Sequence, residues 1–369
     1  MDGGGAAVTV QRFHQPKYVD ALRWLPPSSP FHRHVVASLY DFDSDSSSID
    51  IFSLHATAST AITNSGARSL TNLDVVSSSP SSGRFSILRV SPSRNTHKPI
   101  VAAASSLSGS LYFFVVDAVE PTLEAELSLT PSDGPFHNGG IAGMDLEEGR
   151  CEAITVGEDG RVNIAWIGQA GGVNHRRVFD SGGLVSYSAV CWASPAEFVT
   201  GGPGFNLQWW DQRKTGGPVS HSTGKWIRGT SPGMVHSVDI HPSRKHICVA
   251  GASSGAVFAW DLRQPQQPIS LSGMGPGGIM TESLSESEVW EVQYDPYIQS
   301  INLSASTVQI PPVMMCSEDG VLAVVEAGES PIELLSEPCA INAFEVDPHN
   351  PSAVVCSLEW ETIAVLTRP

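Results

Sequence analysis

The stretch Ile247-Cys248-Val249-Ala250-Gly251-Ala252-Ser253-Ser254-Gly255-Ala256-Val257-Phe258-Ala259-Trp260-Asp261 decides the fold. Two short apolar runs flank a turn of small residues, and runs of that length bounded by turn signals read as strands, not helices. The turn centres on glycine, which adopts conformations other residues resist. The second strand closes in Trp-Asp. A hairpin follows.

The same unit recurs outward from that point. Phe198-Val199-Thr200 to Trp210-Asp211 is a second clear copy. Two more keep a Glu-Asp-Gly turn: Val156-Gly157-Glu158-Asp159-Gly160 before Val162 and Ile164, and Cys316-Ser317-Glu318-Asp319-Gly320 before Leu322 and Val324. Weaker copies run from Val35 to Phe52, Val101 to Phe114 and Val354 to Val365. Residues at the Trp position are then Phe52, Phe114, Ala165, Trp210, Trp260, Val325 and Val365, spaced 40 to 65 apart. The shorter spacings approach one blade of four antiparallel strands.

Upstream of most hairpins lies a further alternating strand that stops near a proline, such as Val235 to Pro242, Trp290 to Pro296 and Ile341 to Pro348. Proline has no N–H to continue a ladder. These are the inner strands of the blades. The expectation is an all-β, seven-bladed β-propeller filling residues 1–369 as one domain. Its last repeat ends at Pro369 with three strands, so residues 1–13, with Val8-Thr9-Val10-Gln11-Arg12-Phe13, are expected to supply the fourth and cover the open edge. Polar or Gly-rich stretches at 41–48, 77–83 and 273–286 read as mobile surface loops.

Composition agrees and excludes several functions. Of 369 residues only 16% are charged, against a usual ~25%, and Gly (34) and Pro (26) are abundant, which fits a turn-rich β protein. A net charge of −17 repels phosphate backbones, and the basic residues are scattered along the chain, so no direct nucleic-acid partner is expected. The longest apolar run, Leu111 to Val116, is far below the ~18 residues of a membrane span. The N-terminus lacks a secretory pattern, so export is not expected. Six cysteines stand far apart with no C-x-x-C pair and read as free thiols.

Apparent chemical motifs yield to their context. Gly251-Ala252-Ser253-Ser254-Gly255 has the spacing of a serine-hydrolase elbow, but that motif needs a following helix and a strand follows here. Gly273-Met274-Gly275-Pro276-Gly277-Gly278 matches a dinucleotide loop without its βαβ unit. His236, His241 and His246 fall on a strand, a turn and the next strand, so they form no closed metal set. Glu158-Asp159 and Glu318-Asp319 repeat at turns, which argues for turn geometry over acid–base catalysis. No cofactor, metal, small-molecule substrate or catalytic residue is expected.

These residues resemble WD40 β-propellers and, within them, the WD40 nucleoporins of the Y-shaped outer-ring complex of the nuclear pore. The marks are Arg23-Trp24-Leu25-Pro26-Pro27, Val156 to Asn163, Trp260-Asp261-Leu262-Arg263-Gln264 with Pro268-Ile269-Ser270-Leu271, Trp290-Glu291-Val292 and Cys316 to Gly320. The resemblance implies a non-catalytic scaffold in the nucleus, at the pore in the nuclear envelope. It would dock on α-solenoid nucleoporins and support mRNA export and protein transport. Gly160, Trp210, Asp211, Gly255, Trp260, Asp261 and Gly320 would be structural repeat positions. The Trp-Asp-x-Arg motifs also resemble those of WD40 substrate receptors of cullin–RING ubiquitin ligases, where Asp261 and Arg263, with Trp210, Asp211 and Arg213 as the weaker copy, would meet an adaptor. Met274, Met280 and Leu284, in the Gly-rich loop, are further candidates for partner contact, since methionine adapts to uneven surfaces.

Overall fold

Middle strands such as Pro99–Ala104, Ile247–Ala252 and Ala353–Leu358 are buried at every position, because a strand flanked by a blade on either side has no solvent face. Outer strands such as Val173–Asp180 carry charged side chains into water. The structure is a computed structural model describing residues 8–29, 32–56, 70–92, 98–117, 119–130, 136–147, 149–204, 206–222, 233–264, 268–272, 285, 287–299, 310–359 and 361–369. It forms seven four-stranded antiparallel sheets arranged as a β-propeller, with one helical turn at Pro296–Gln299. The inner strands, in blade order, are Tyr18–Ser29, Ile87–Pro92, Ile141–Leu146, Ala189–Ser194, Val235–Ile240, Val289–Tyr294 and Ile341–Val346.

Closure follows the expected scheme. Thr9–His14 pairs antiparallel with Thr362–Thr367 as the fourth strand of blade 7, in register from Thr9↔Thr367 to His14↔Thr362. Phe13 packs against the apolar layer between blades 7 and 1, and Val10 against that between blades 6 and 7. Arg368 adds a buried lock: its guanidinium meets the Asp295 carboxylate of the blade 6 turn (Nη2 to Oδ1, 3.0 Å) and lies 4.3 Å from the Tyr297 ring. The cysteines are free thiols, five buried and Cys191 half-buried.

Two expectations change. The Ser-rich stretches at 41–48 and 77–83 form a hairpin and a strand: Asp41 pairs with Ser46 across a tight turn, and Ser77–Ser81 pair with Ser47–Ile51. An outer blade strand needs only its backbone ladder, so serines suffice, and Ser78 donates to Asp50 (2.6 Å). The loop at 273–286 lies almost wholly outside the described residues, as do Met274, Met280 and Leu284. In blade 7 the Trp-equivalent residue is Leu366, not Val365. Glu361 takes the left-handed turn position (φ 57°), which shifts the strand by one and puts Leu366 in the layer facing blade 6. A one-residue slip moves a side chain to the opposite face of its sheet.

Candidate partner-binding surface

In each blade the second-to-third turn and the crossover to the next blade share one end of the ring, and the other two connections share the opposite end. Alternation of antiparallel strands dictates this. The glycine turns and the Trp-Asp-x-Arg motifs therefore lie at opposite ends.

At the first end, Gly160, Gly255 and Gly320 all have positive φ (72°, 79° and 83°). Space requires glycine as well. A Cβ on Gly255 would sit 2.7 Å from the Ser285 carbonyl, and one on Gly320 2.1 Å from that of Glu337. Beside Gly160, His137 joins Asp159 (3.1 Å) through Nδ1 and Thr155 (3.0 Å) through Nε2, while the Asn138 amide donates to Asp159 (2.7 Å). Burial works to raise the Asp159 carboxyl, but these hydrogen bonds outweigh it and hold the group at about 2. The trio has the composition of a catalytic triad, yet Thr155 is fully buried inside the sheet. It ties a crossover loop to its blade. Ser285 and Ser317 donate to Asp319 in the corresponding place (3.0 and 2.5 Å).

At the opposite end stand the Asp-Arg pairs. Trp210 packs into the layer between blades 3 and 4, stacked on Phe198 at 5.6 Å, with its Nε1–H donated to Thr200 (2.9 Å). Trp260 is fully buried between blades 4 and 5. The next residue then turns out at the strand end. Asp211 accepts from Arg213 Nε (2.7 Å) and Nη2 (2.9 Å), and Asp261 from Arg263 Nε (2.9 Å) and Nη2 (2.6 Å). These bonds lower both carboxyls and raise both guanidinium groups. The arginine side chains remain 66% and 65% exposed. Each is a fork held in place by its own aspartate.

Between the ends, the inner strands line the axis with charge. Asp145, Asp239, Glu291 and Glu345 share a cleft of about 120 Å³ in which, among the described residues, Arg23 and Arg89 are the basic groups. The carboxylates accept backbone N–H groups from the next blade: Asp145 from Trp192 (2.7 Å), Asp239 from Tyr294 (2.7 Å), Glu291 from Phe344 (3.1 Å) and Glu345 from Trp24. Each bond staples one inner strand to its neighbour. Arg23 pairs with Glu291 (2.5 Å), and Arg89 lies 3.6 Å from Asp145. Burial pushes Asp239 up to about 6 and Glu345 up to about 7. Beside this wall, Trp24, Leu25, Pro26, Val90, Pro348 and His349 line a recess of about 240 Å³, with Arg33 stacked 4.4 Å over Trp24.

His137 and the axial carboxylates escape motif reading. Their signal was present, as single acids inside apolar inner strands at Met144-Asp145-Leu146, Val238-Asp239-Ile240 and Phe344-Glu345-Val346.

No protein-family model matches the chain. Over 365 residues it is 53% identical to the curated "Nuclear pore complex protein NUP43" of Arabidopsis thaliana, covering 98% of each chain.

Proposed function

This chain belongs to the NUP43 family of nuclear pore complex proteins, and on that premise we propose that it is a non-catalytic scaffold subunit of the pore's Y-shaped outer ring. It resides at the nuclear envelope, docks on α-solenoid nucleoporins and so supports mRNA export and protein transport. The observation that carries this reading is identity across nearly the full length of both chains, which spans all seven blades. The architecture supports it: a ring closed by its own N-terminal strand is a preorganised frame, and preorganisation lowers the entropy lost on association. The His137-Asp159-Thr155 set serves the wall of the ring, which favours structure over chemistry.

One observation favours a second reading, that of a substrate receptor for a cullin–RING ligase. Arg213 and Arg263 stand exposed at one end of neighbouring blades, as adaptor contact would require. Affinity purification of the tagged chain separates the readings. Recovery of α-solenoid nucleoporins, with no ligase adaptor in either the parent or Arg263→Ala, supports the scaffold. Recovery of a ligase adaptor, lost in that variant, replaces it. Deleting residues 273–286 in the same assay asks whether Met274, Met280 and Leu284 add contacts; weaker nucleoporin recovery is expected.

A further inference from the structure

Charge is unevenly shared among the blades. Residues 189–272, which make up blades 4 and 5, hold seven Lys and Arg against four acids, whereas the rest of the chain holds 14 against 34. Of those seven, Lys225 and Arg228 lie outside the described residues, and the other five place a positive sector in a molecule of net charge −17.

The fold concentrates that sector further. Arg213 and Lys214 follow the third strand of blade 4, Asn206–Asp211, and Arg263 follows that of blade 5, Val257–Asp261. Arg244 and Lys245 occupy the turn between Val235–Ile240 and Ile247–Ala252. All five are exposed, and all lie at the same end of two adjacent blades. The blade 5 elements are physically joined, since the Leu262 amide donates to the His246 carbonyl (2.7 Å).

Three of the four acids neutralise charge at this end, so the outward excess rests on Lys214, Arg244 and Lys245. Asp239 faces the axis and accepts the Tyr294 amide. Asp211 and Asp261 each hold their own arginine in place. Glu197 lies 3.5 Å from Arg213. Arg244 and Lys245 remain as exposed cations at the same end as two arginines already fixed in orientation, whose side chains lose little entropy when a carboxylate arrives.

We infer that this end of blades 4 and 5 docks an acidic segment of a partner protein. The inference rests on the scaffold reading for the identity of the partner, but not for the chemistry of the surface. A protein segment fits better than nucleic acid. The positive sector covers two blades of seven, and a long polyanion leaving it would run along the strongly acidic remainder. That same remainder makes a second copy of this chain the other occupant to test.

The test uses the full-length chain with three probes: a fluorescent 20-residue oligoglutamate peptide, a 20-nucleotide single-stranded DNA, and sedimentation of the chain alone. The peptide should bind, more weakly as salt rises from 50 to 200 mM. The double reversal Arg244→Glu/Lys245→Glu should weaken it roughly tenfold. Lys214→Glu is a second, single-site variant, and Lys98→Glu, in blade 2, should leave binding unchanged. Peptide binding that is indifferent to both sector variants overturns the inference, as does tighter binding of the DNA or salt-sensitive self-association abolished by the same reversals. Affinity purification distinguishes the two levels. Nucleoporins recovered equally by parent and double variant would refute this surface and leave the scaffold standing. If the parent recovers no nucleoporins, the scaffold reading falls while the peptide result still decides the surface.

Discussion

Replacing Glu345 by Gln should stabilise the protein at pH 8 and do little at pH 5. Glu345 reaches across from blade 7 to accept the Trp24 amide of blade 1, in an axial cleft where four carboxylates face two guanidinium groups. Burial favours the protonated form and outweighs the Arg23 charge and the Trp24 hydrogen bond that oppose it, raising the carboxyl from an ordinary 4.5 to about 7. A group whose folded pKa is raised contributes stability below its unfolded value and loses it as pH climbs through the folded one. Here the loss runs from about 4.5 to about 7. At about 1.4 kcal/mol per pH unit it reaches about 3 kcal/mol by pH 8 and stays below about 1 kcal/mol at pH 5. Water in the cleft screens part of the charge, so about 3 kcal/mol is an upper bound. A glutamine keeps an oxygen for the Trp24 amide and mimics the protonated acid. Urea unfolding of parent and variant at both pH values measures the difference. A gain of about 1–3 kcal/mol at pH 8 that shrinks below about 1 at pH 5 is the expected result. Destabilisation at pH 8 would refute the reasoning, since the charge itself would then be holding the blades together. An equal gain at both pH values would refute it too, pointing to packing.

Two further substitutions probe the frame. Gly255→Ala forces a positive φ on alanine and drives Cβ to 2.7 Å from the Ser285 carbonyl, so a loss of at least about 2 kcal/mol is expected in thermal or urea unfolding. Gly182→Ala, also at positive φ but with open space around it, should cost only about 1 kcal/mol, which separates collision from backbone strain. Arg368→Ala strands the fully buried Asp295 carboxylate and should cost about 3–5 kcal/mol, read as a lower urea midpoint. A change under about 1 kcal/mol would mean that this lock contributes little to the ring.

Much of the ring was legible because each blade repeats a local demand. A left-handed turn wants glycine, so Gly160, Gly255 and Gly320 mark three hairpins directly. Where another residue fills that position the reading slips, as at Glu361, which displaced the blade 7 anchor from Leu366 to Val365. Polarity misled at Ser77–Ser81, because an outer strand is held by backbone pairing and tolerates serine. The candidate surface was only half legible. Trp-Asp-x-Arg announces a fork, but the grouping of Arg213, Arg244 and Arg263 at one end depends on strand direction and blade order, which bring together residues far apart in sequence. The axial acids were visible one at a time, and only closure of the ring sets them against each other.

The geometry separates cohesion from docking, and that separation is itself a consequence of the strand pattern. Inner strands must give their spare amides an acceptor where they meet, and Asp145, Asp239, Glu291 and Glu345 supply it between blades. Those acids face the axis, where a partner surface laid across the ring does not reach. Strand ends carry the opposite constraint: a side chain there no longer packs between blades, so Arg213 and Arg263 stay exposed to water. Changes at the axis should therefore alter stability and its pH dependence while leaving binding to the end of the ring intact. Changes at Arg244, Lys245 or Arg263 should do the reverse. A variant at the ring's end that shifted the pH dependence of unfolding would show that the exposed cations and the axial carboxylates sense one another through the blades, and the separation would fail.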